Sequence, residues 1–162
     1  MPKKWMESDE EIAEFLDKAL VGRLGTSFEG QAYITPLAFV FRNGKFYFHS
    51  APNGRKMEYI KANPRVCFEV DELNRVHLGS GACSHSMRYR SVIAVGTARV
   101  IDEVDLKRNA LGWLVVKYSG EEWLAKLSEA DLADVAVVEI DVCNSWPGFA
   151  RIRSVVWLEQ RW

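Results

Sequence analysis

Phe46-Tyr47-Phe48-His49-Ser50-Ala51-Pro52-Asn53-Gly54-Arg55-Lys56 is the stretch on which the reading of this chain turns. Three consecutive aromatics favour a pleated, half-buried strand. The Ser-Ala-Pro-Asn-Gly run that follows is a turn, and it delivers Arg55 and Lys56 to the start of a short helical pattern. That pattern, carried by Met57, Ile60 and Ala62, stops before Pro64, because the residue ahead of a proline avoids the helical region. Backbone N–H groups at a helix start have no intrahelical partner, and the dipole there favours an anion. A strand, a turn and two cations at a helix N-terminus outline a phosphate site. The same residues also read as a solvated Arg-Lys pair on a connecting loop.

Upstream, Ser8 and Glu11 have the spacing of a capping box, and Ile12, Phe15, Leu16, Ala19 and Leu20 follow the helical period. An amphipathic helix over about residues 9–20 is expected, laid on the rest. From residue 21 the pattern changes to strands, 21–27 and 32–41 around a Phe-Glu-Gly turn, and Asn43-Gly44 signals a hairpin into 46–49. Pro36 lies inside the second of these strands and cannot donate to a ladder. Its position must be an edge, a bulge or a place where pairing stops. Such a place leaves backbone groups free to meet a ligand.

Downstream, residues 66–70 read as a strand. Residues 71–88 lack clear periodicity and are expected to form a long loop, mobile over the site, with Cys83 near it. A long strand follows over 89–101, with Gly96 a bulge or a close backbone approach. Leu106, Ala110, Leu111, Leu114, Val115 and Tyr118 mark a second amphipathic helix. Short helical pieces come next, and strands over 135–142 and 151–158 close the chain. Six or seven antiparallel strands joined mostly by hairpins, with peripheral helices, predict a mainly β fold, a β-barrel in one domain spanning 1–162, its barrel over about 21–158. Closure would remove the edges that so many strands create.

At 162 residues the chain can bury roughly 70% of the surface its unfolded form exposes, so a core needs no metal or disulfide. Its 21 basic and 22 acidic residues nearly cancel, which argues against nucleic acid or an anionic membrane as partner. Cys67, Cys83 and Cys143 are odd in number and widely spaced, the pattern of reduced thiols. No apolar run approaches a membrane span, and a cytoplasmic protein is expected. His77, Cys83 and His85 supply too few ligands for a metal. The six tryptophans read as core and interface anchors.

Six segments, in this order and at these separations, resemble the FMN-binding split-barrel family of pyridoxamine 5′-phosphate oxidase-like proteins, and within it the 5-nitroimidazole-resistance (Nim-type) reductases. They are Val21-Gly22-Arg23-Leu24-Gly25-Thr26, Ile34-Thr35-Pro36-Leu37-Ala38-Phe39-Val40, Tyr47-Phe48-His49-Ser50-Ala51, Gly54-Arg55-Lys56, Asn63-Pro64-Arg65-Val66 and Tyr89-Arg90-Ser91-Val92. The resemblance implies an FMN-binding split barrel and a role for each matching position. Arg55 and Lys56 would hold the FMN phosphate by charge-assisted hydrogen bonds. The backbone at Pro36, Leu37 and Ala38 would face the isoalloxazine ring, with Phe48, His49, Ser50 and Ala51 lining the ring and ribityl chain. Tyr89, Arg90 and Ser91 would lie on the phosphate side, where Ser91 replaces a glutamine common in the family and reaches less far.

The resemblance also implies a homodimer with FMN at the interface. Its chemistry would be reduction of a small acceptor, a nitro-aromatic or quinone, by electrons from NAD(P)H. His49 reads either as a structural histidine or as the catalytic group that supplies a proton near the flavin. No Gly-x-Gly-x-x-Gly fingerprint is present, so a nicotinamide would stack only transiently. The segment 151–162 does not reproduce the Arg/His signature by which true oxidases grip pyridoxamine phosphate, so that activity is not expected. A non-catalytic flavin- or haem-binding module stays open as the alternative. So does a deazaflavin, although the Arg-Lys pair favours FMN.

Overall fold

The structure, a computed structural model, describes residues 4–6, 8–142, 153–157 and 160–161. In chain order its elements are β1 (Lys4–Trp5), α1 (Asp9–Lys18), β2 (Gly22–Phe28), β3 (Gln31–Leu37), β4 (Val40–Arg42), β5 (Lys45–Ser50), α2 (Arg55–Ala62), β6 (Arg65–His77), β7 (Ser86–Val100), α3 (Val104–Ser119), a 3₁₀ helix (Glu121–Lys126), α4 (Glu129–Asp134), β8 (Ala136–Val142), β9 (Arg153–Trp157) and β10 (Gln160–Arg161). The expected strand over 151–158 is met by β9, and the rest of that segment lies outside the described residues, as does Cys143.

The hairpins form where their turn residues allow. Glu29-Gly30 and Asn43-Gly44 all take positive φ (48° and 76°, 54° and 76°), the conformation that matches the twist of two antiparallel strands. Seven antiparallel strands run in the order β3-β2-β6-β7-β8-β5-β4. The two ends of that path, β3 and β4, are separated in the chain only by Ala38 and Phe39. The sheet must therefore curl until its ends meet, which makes it the expected barrel, split at Ala38-Phe39. Residues 32–41 are not one strand, because pairing stops there. Pro36 sits on β3, the end of the hydrogen-bonded path, opposite Arg23 of β2.

Alternation along β5 and β8 builds two cores. Phe46, Phe48, Val138 and Ile140 point into the barrel, where Phe39, Phe68 and Leu24 meet them and the α1 face of Ile12, Phe15 and Leu16 is buried with them. Tyr47 and Val137 point outward and pack with Ala110, Leu111 and Leu114 of α3. Ser8 caps α1, its Oγ accepting from the Glu11 N–H at 3.1 Å.

Residues 71–88 are not the expected long loop. β6 and β7 stay paired out to His77 and Ser86, past an irregularity between Leu73 and Arg75, leaving only residues 78–85 as the connection. Glu72 and Arg90 hold the hairpin by a cross-strand ion pair. This extension carries Leu73 and Val76 exposed, at 54% and 49%. Its β6 half, exposed from Asp71 to Val76, has no buried face, and there the sequence shows no period of two. Among the described residues no helix is long and apolar enough to cross a membrane.

Candidate functional site

The start of α2 is built to meet an anion. Gly54 stands at its N-cap with φ 118°, and no side chain caps the first turn. The free N–H groups are therefore left to solvent or a ligand. The first two helical residues are Arg55 and Lys56, and among the described residues neither has a carboxylate partner. Arg23, Arg42, Arg90, Arg99 and Arg108, in contrast, are all ion-paired. The Arg55 guanidinium lies over the Tyr33 ring, 5.4 Å from its centroid, and the Lys56 ammonium lies over Phe48 at the same distance. Burial pushes the Lys56 pKa below its ordinary value. An ammonium held half out of water without a counter-charge gains more than a solvated one when an anion arrives.

His49 follows the fully buried Phe48 at the end of β5 and faces the opposite side of the sheet. Packing around the imidazole, and then the Lys56 charge, lower its pKa from 6.5, so at neutral pH the ring is uncharged. It lines a cavity of about 550 Å³ together with Ala38, at the split between β3 and β4. The far wall of that cavity is α3, the 3₁₀ helix and α4, with Leu111, Leu114, Val115, Trp123 and Leu127 facing in.

Tyr118 of α3 fastens this wall to the split. Its hydroxyl accepts from the Phe39 N–H at 2.9 Å and stands 2.8 Å from the Leu20 carbonyl and 3.1 Å from that of Phe39, to one of which it donates. The Phe39 N–H that the missing ladder leaves open is satisfied by this one side chain. Sequence reasoning placed Tyr118 only on an apolar helix face. A tyrosine ending an apolar stripe was the available signal, since its hydroxyl carries a donor and an acceptor that seek partners.

Of the residues expected at the site, Ala38 and His49 line one cavity, and Lys56 lies over Phe48 with its charge reaching His49. Pro36 and Leu37 lead directly into Ala38, and Ser50 and Ala51 continue from His49 towards Arg55 and Lys56. The Phe48 ring is wholly buried inside the barrel, so it supports Lys56 and leaves the lining of a ligand to its neighbours. Tyr89, Arg90 and Ser91 stand apart within the chain. Ser91 lies six positions along β7 from Thr97, which pairs with Arg65 just beyond α2, a separation of roughly 20 Å. Arg90 binds Glu72 and lies over Phe15, 5.1 Å from the ring centroid, and Ser91 is buried opposite Asp71. In the residue 78–85 connection, His85 Nδ1 accepts from the Gly79 N–H at 3.0 Å. No group of three or more His, Cys, Asp or Glu among the described residues could hold a metal.

A closed seven-strand antiparallel path split at one seam, with helices on its outside, defines the split-barrel class. Residues 8–144 match the family described as pyridoxamine 5′-phosphate oxidase, and the chain belongs to that family. Among solved structures it is similar to a candidate 5-nitroimidazole antibiotic resistance protein from Bacteroides thetaiotaomicron. Identity is 25%, coverage 96% of this chain and 88% of that one, and the TM-score 0.77. It is also similar to an FAD-binding protein from Mesorhizobium loti, at 25% identity, 96% and 98% coverage and a TM-score of 0.64. An FAD- and haem-binding protein from Mycobacterium smegmatis shares the fold at 21% identity, 96% and 84% coverage and a TM-score of 0.73. No curated protein matches the sequence.

Proposed function

We propose that this chain is an FMN-binding flavoprotein that reduces a small oxidised acceptor, a nitro-aromatic or a quinone, with electrons from a nicotinamide donor. The observation that carries this reading is the adjacent Arg55-Lys56 pair, without a carboxylate partner among the described residues, at an uncapped helix start. A phosphate monoester offers the dianion and acceptor oxygens that this donor set fits. Close by, Pro36, Leu37 and Ala38 run to the split between β3 and β4, where a ring joined to that phosphate could lie. The likeness to an FAD-binding protein supports a flavin, and the likeness to a candidate nitroimidazole resistance protein supports a nitro-aromatic acceptor.

A flavin, when bound, supplies reversible two-electron transfer; the protein supplies grip, position and electrostatics. Arg55 and Lys56 would hold the phosphate, and the backbone from Pro36 to Ala38 would set the ring plane. His49, uncharged at neutral pH because its pKa is lowered, donates an N–H hydrogen bond and positions an acceptor, and solvent supplies the proton. For a quinone the overall balance is NAD(P)H, one proton and the quinone giving oxidised nicotinamide and the hydroquinone. The chain is further proposed to be a homodimer. Ile34, Leu73, Val76 and Leu78, on the edge strand and on the projecting hairpin, are large apolar residues left in water. A second copy would bring its Tyr89-Arg90-Ser91 segment as the set that one chain keeps apart from Arg55.

The test is an FMN titration of the purified chain with sedimentation of the saturated sample. Anaerobic reduction by NADH or NADPH and reoxidation by a nitroimidazole or a quinone complete it. Tight FMN uptake, a dimer and acceptor-dependent reoxidation are expected. A chain that takes up no FMN ends the reading. One that binds FMN but exchanges no electrons with any donor or acceptor is the non-catalytic module instead.

A further inference from the structure

The cavity between α3 and the sheet is a feature that the phosphate grip leaves unexplained. Its volume of about 550 Å³ falls within the range of small-molecule sites. Leu111, Leu114 and Val115 from α3, with Trp123 and Leu127, give it an apolar wall. The sheet side contributes Ala38, His49 and Val135. Such a wall recognises a flat hydrocarbon body by the apolar area it covers.

The charges around the cavity narrow the class further. Lys126, Asp131 and Asp134 are its ionisable groups besides His49 and Tyr118. The Lys126 ammonium lies over Trp123, 3.6 Å from the ring centroid, so the indole already engages this cation. The Asp131 carboxylate is engaged by the Ser128 N–H and hydroxyl, at 2.8 and 2.7 Å, and its pKa is lowered by those bonds. Within the lining, with His49 uncharged, two carboxylates face one ammonium; the Lys56 charge that reaches His49 lies outside the lining and, in the loaded protein, would be answered by the FMN phosphate. An anion would enter against that balance, and the pyrophosphate of a nicotinamide dinucleotide most of all.

We infer that this cavity is the acceptor pocket and that it takes uncharged, planar bicyclic aromatics such as naphthoquinones, while the dinucleotide donor is kept out of it. The inference deepens the function proposed above and rests on it for the direction of electron flow, but occupancy of the cavity does not depend on FMN. Val115 and Leu127 set the specificity. They approach from different elements, and a larger side chain at either fills the space an aromatic would use.

The experiment is calorimetric titration of the full chain, with and without FMN, using 2,3-dimethyl-1,4-naphthoquinone, whose blocked ring positions prevent addition to thiols. Naphthalene-2-sulfonate serves as the anionic counterpart. The quinone is expected to bind saturably to both forms and the sulfonate at least fivefold more weakly. Val115→Trp and Leu127→Trp should each weaken the quinone at least tenfold while FMN affinity stays within twofold, with circular dichroism melting confirming the fold of each variant. Absence of saturable quinone binding, or wild-type affinity in both variants, overturns the inference. Sulfonate binding as tight as the quinone overturns the charge argument. A chain that binds the quinone as described but takes up no FMN keeps the pocket and removes the flavin reading. One that binds FMN but no quinone does the reverse.

Discussion

Replacing Lys56 by alanine separates a phosphate grip from every other way in which this chain could hold a flavin. One charge-assisted hydrogen bond contributes about 1.5–3 kcal/mol, which is roughly ten- to 150-fold in affinity. The structure argues for the upper part of that range. The Lys56 ammonium is half-buried over the Phe48 ring, its pKa is lowered by burial, and among the described residues it has no carboxylate partner. A phosphate would supply that missing counter-charge. The same reasoning fixes two controls. Riboflavin, which lacks the phosphate, should lose little affinity in Lys56→Ala. Since a bound dianion holds the ammonium protonated, FMN affinity should also fall as pH rises through the lowered pKa of the free lysine, below its ordinary 10.5. Flavin fluorescence titrations of wild type and variant, with FMN and riboflavin in parallel, read all three effects. Equal losses for both flavins, or no loss for FMN, would refute the phosphate assignment. The variant should melt no lower than wild type, because the side chain removed was an uncompensated cation.

Two further predictions concern the frame that holds the site. A Cβ at Gly96 would lie 2.5 Å from the Asp141 carbonyl oxygen and 2.8 Å from Ile140 Cγ2, on the strand paired with β7. Gly96→Ala should therefore cost about 1–3 kcal/mol in urea unfolding, and a change within the error of the measurement would show that the two strands can part freely. The Lys117 pKa is pushed down to about 8 by burial, although its ammonium donates to the Leu16 carbonyl at 2.9 Å and lies over Phe39. The unfolded chain keeps this proton up to its ordinary 10.5 and the folded chain releases it near 8. Stability relative to Lys117→Met should then be flat below pH 8 and rise between 8 and 10.5, by about 1–2 kcal/mol once solvent on a half-buried group is allowed for. A parallel pH profile for the two proteins would contradict it.

What could be read from the sequence was what is local in it. Asn43-Gly44 announced a turn that needs positive φ, and both residues have it. Pro64 announced the end of α2, and the helix stops at Ala62. Gly96 announced a close approach, and Asp141 supplies it. Arg55 and Lys56 were legible because a helix start and its cations are neighbours in the chain. The β6–β7 extension was missed because its β6 half, exposed from Asp71 to Val76, carries no alternation for a period to reveal. The far wall of the cavity was invisible for another reason. Leu114 and Trp123 come near His49 only after a sheet whose ends are joined by two residues has curled shut.

That closure also explains why the site lies where it does. A barrel that closed by an unbroken ladder would spend every backbone group on its own strands. Here the ladder stops at Ala38-Phe39, and Phe39 would be left with an open N–H and carbonyl at the edge of the core, a loss of about 1–3 kcal/mol for each group left without a partner. Tyr118 takes up the Phe39 N–H with one hydroxyl, whose own proton goes to the Leu20 or the Phe39 carbonyl, and in doing so ties α3 to the seam. The bond that repairs the split therefore also fixes the helical wall opposite His49. The edge strand that carries Pro36 is left free of a ladder on that side. The opening in the sheet and the cavity beside it are thus two consequences of the same broken pairing, and a chain that closed its barrel completely would lose both.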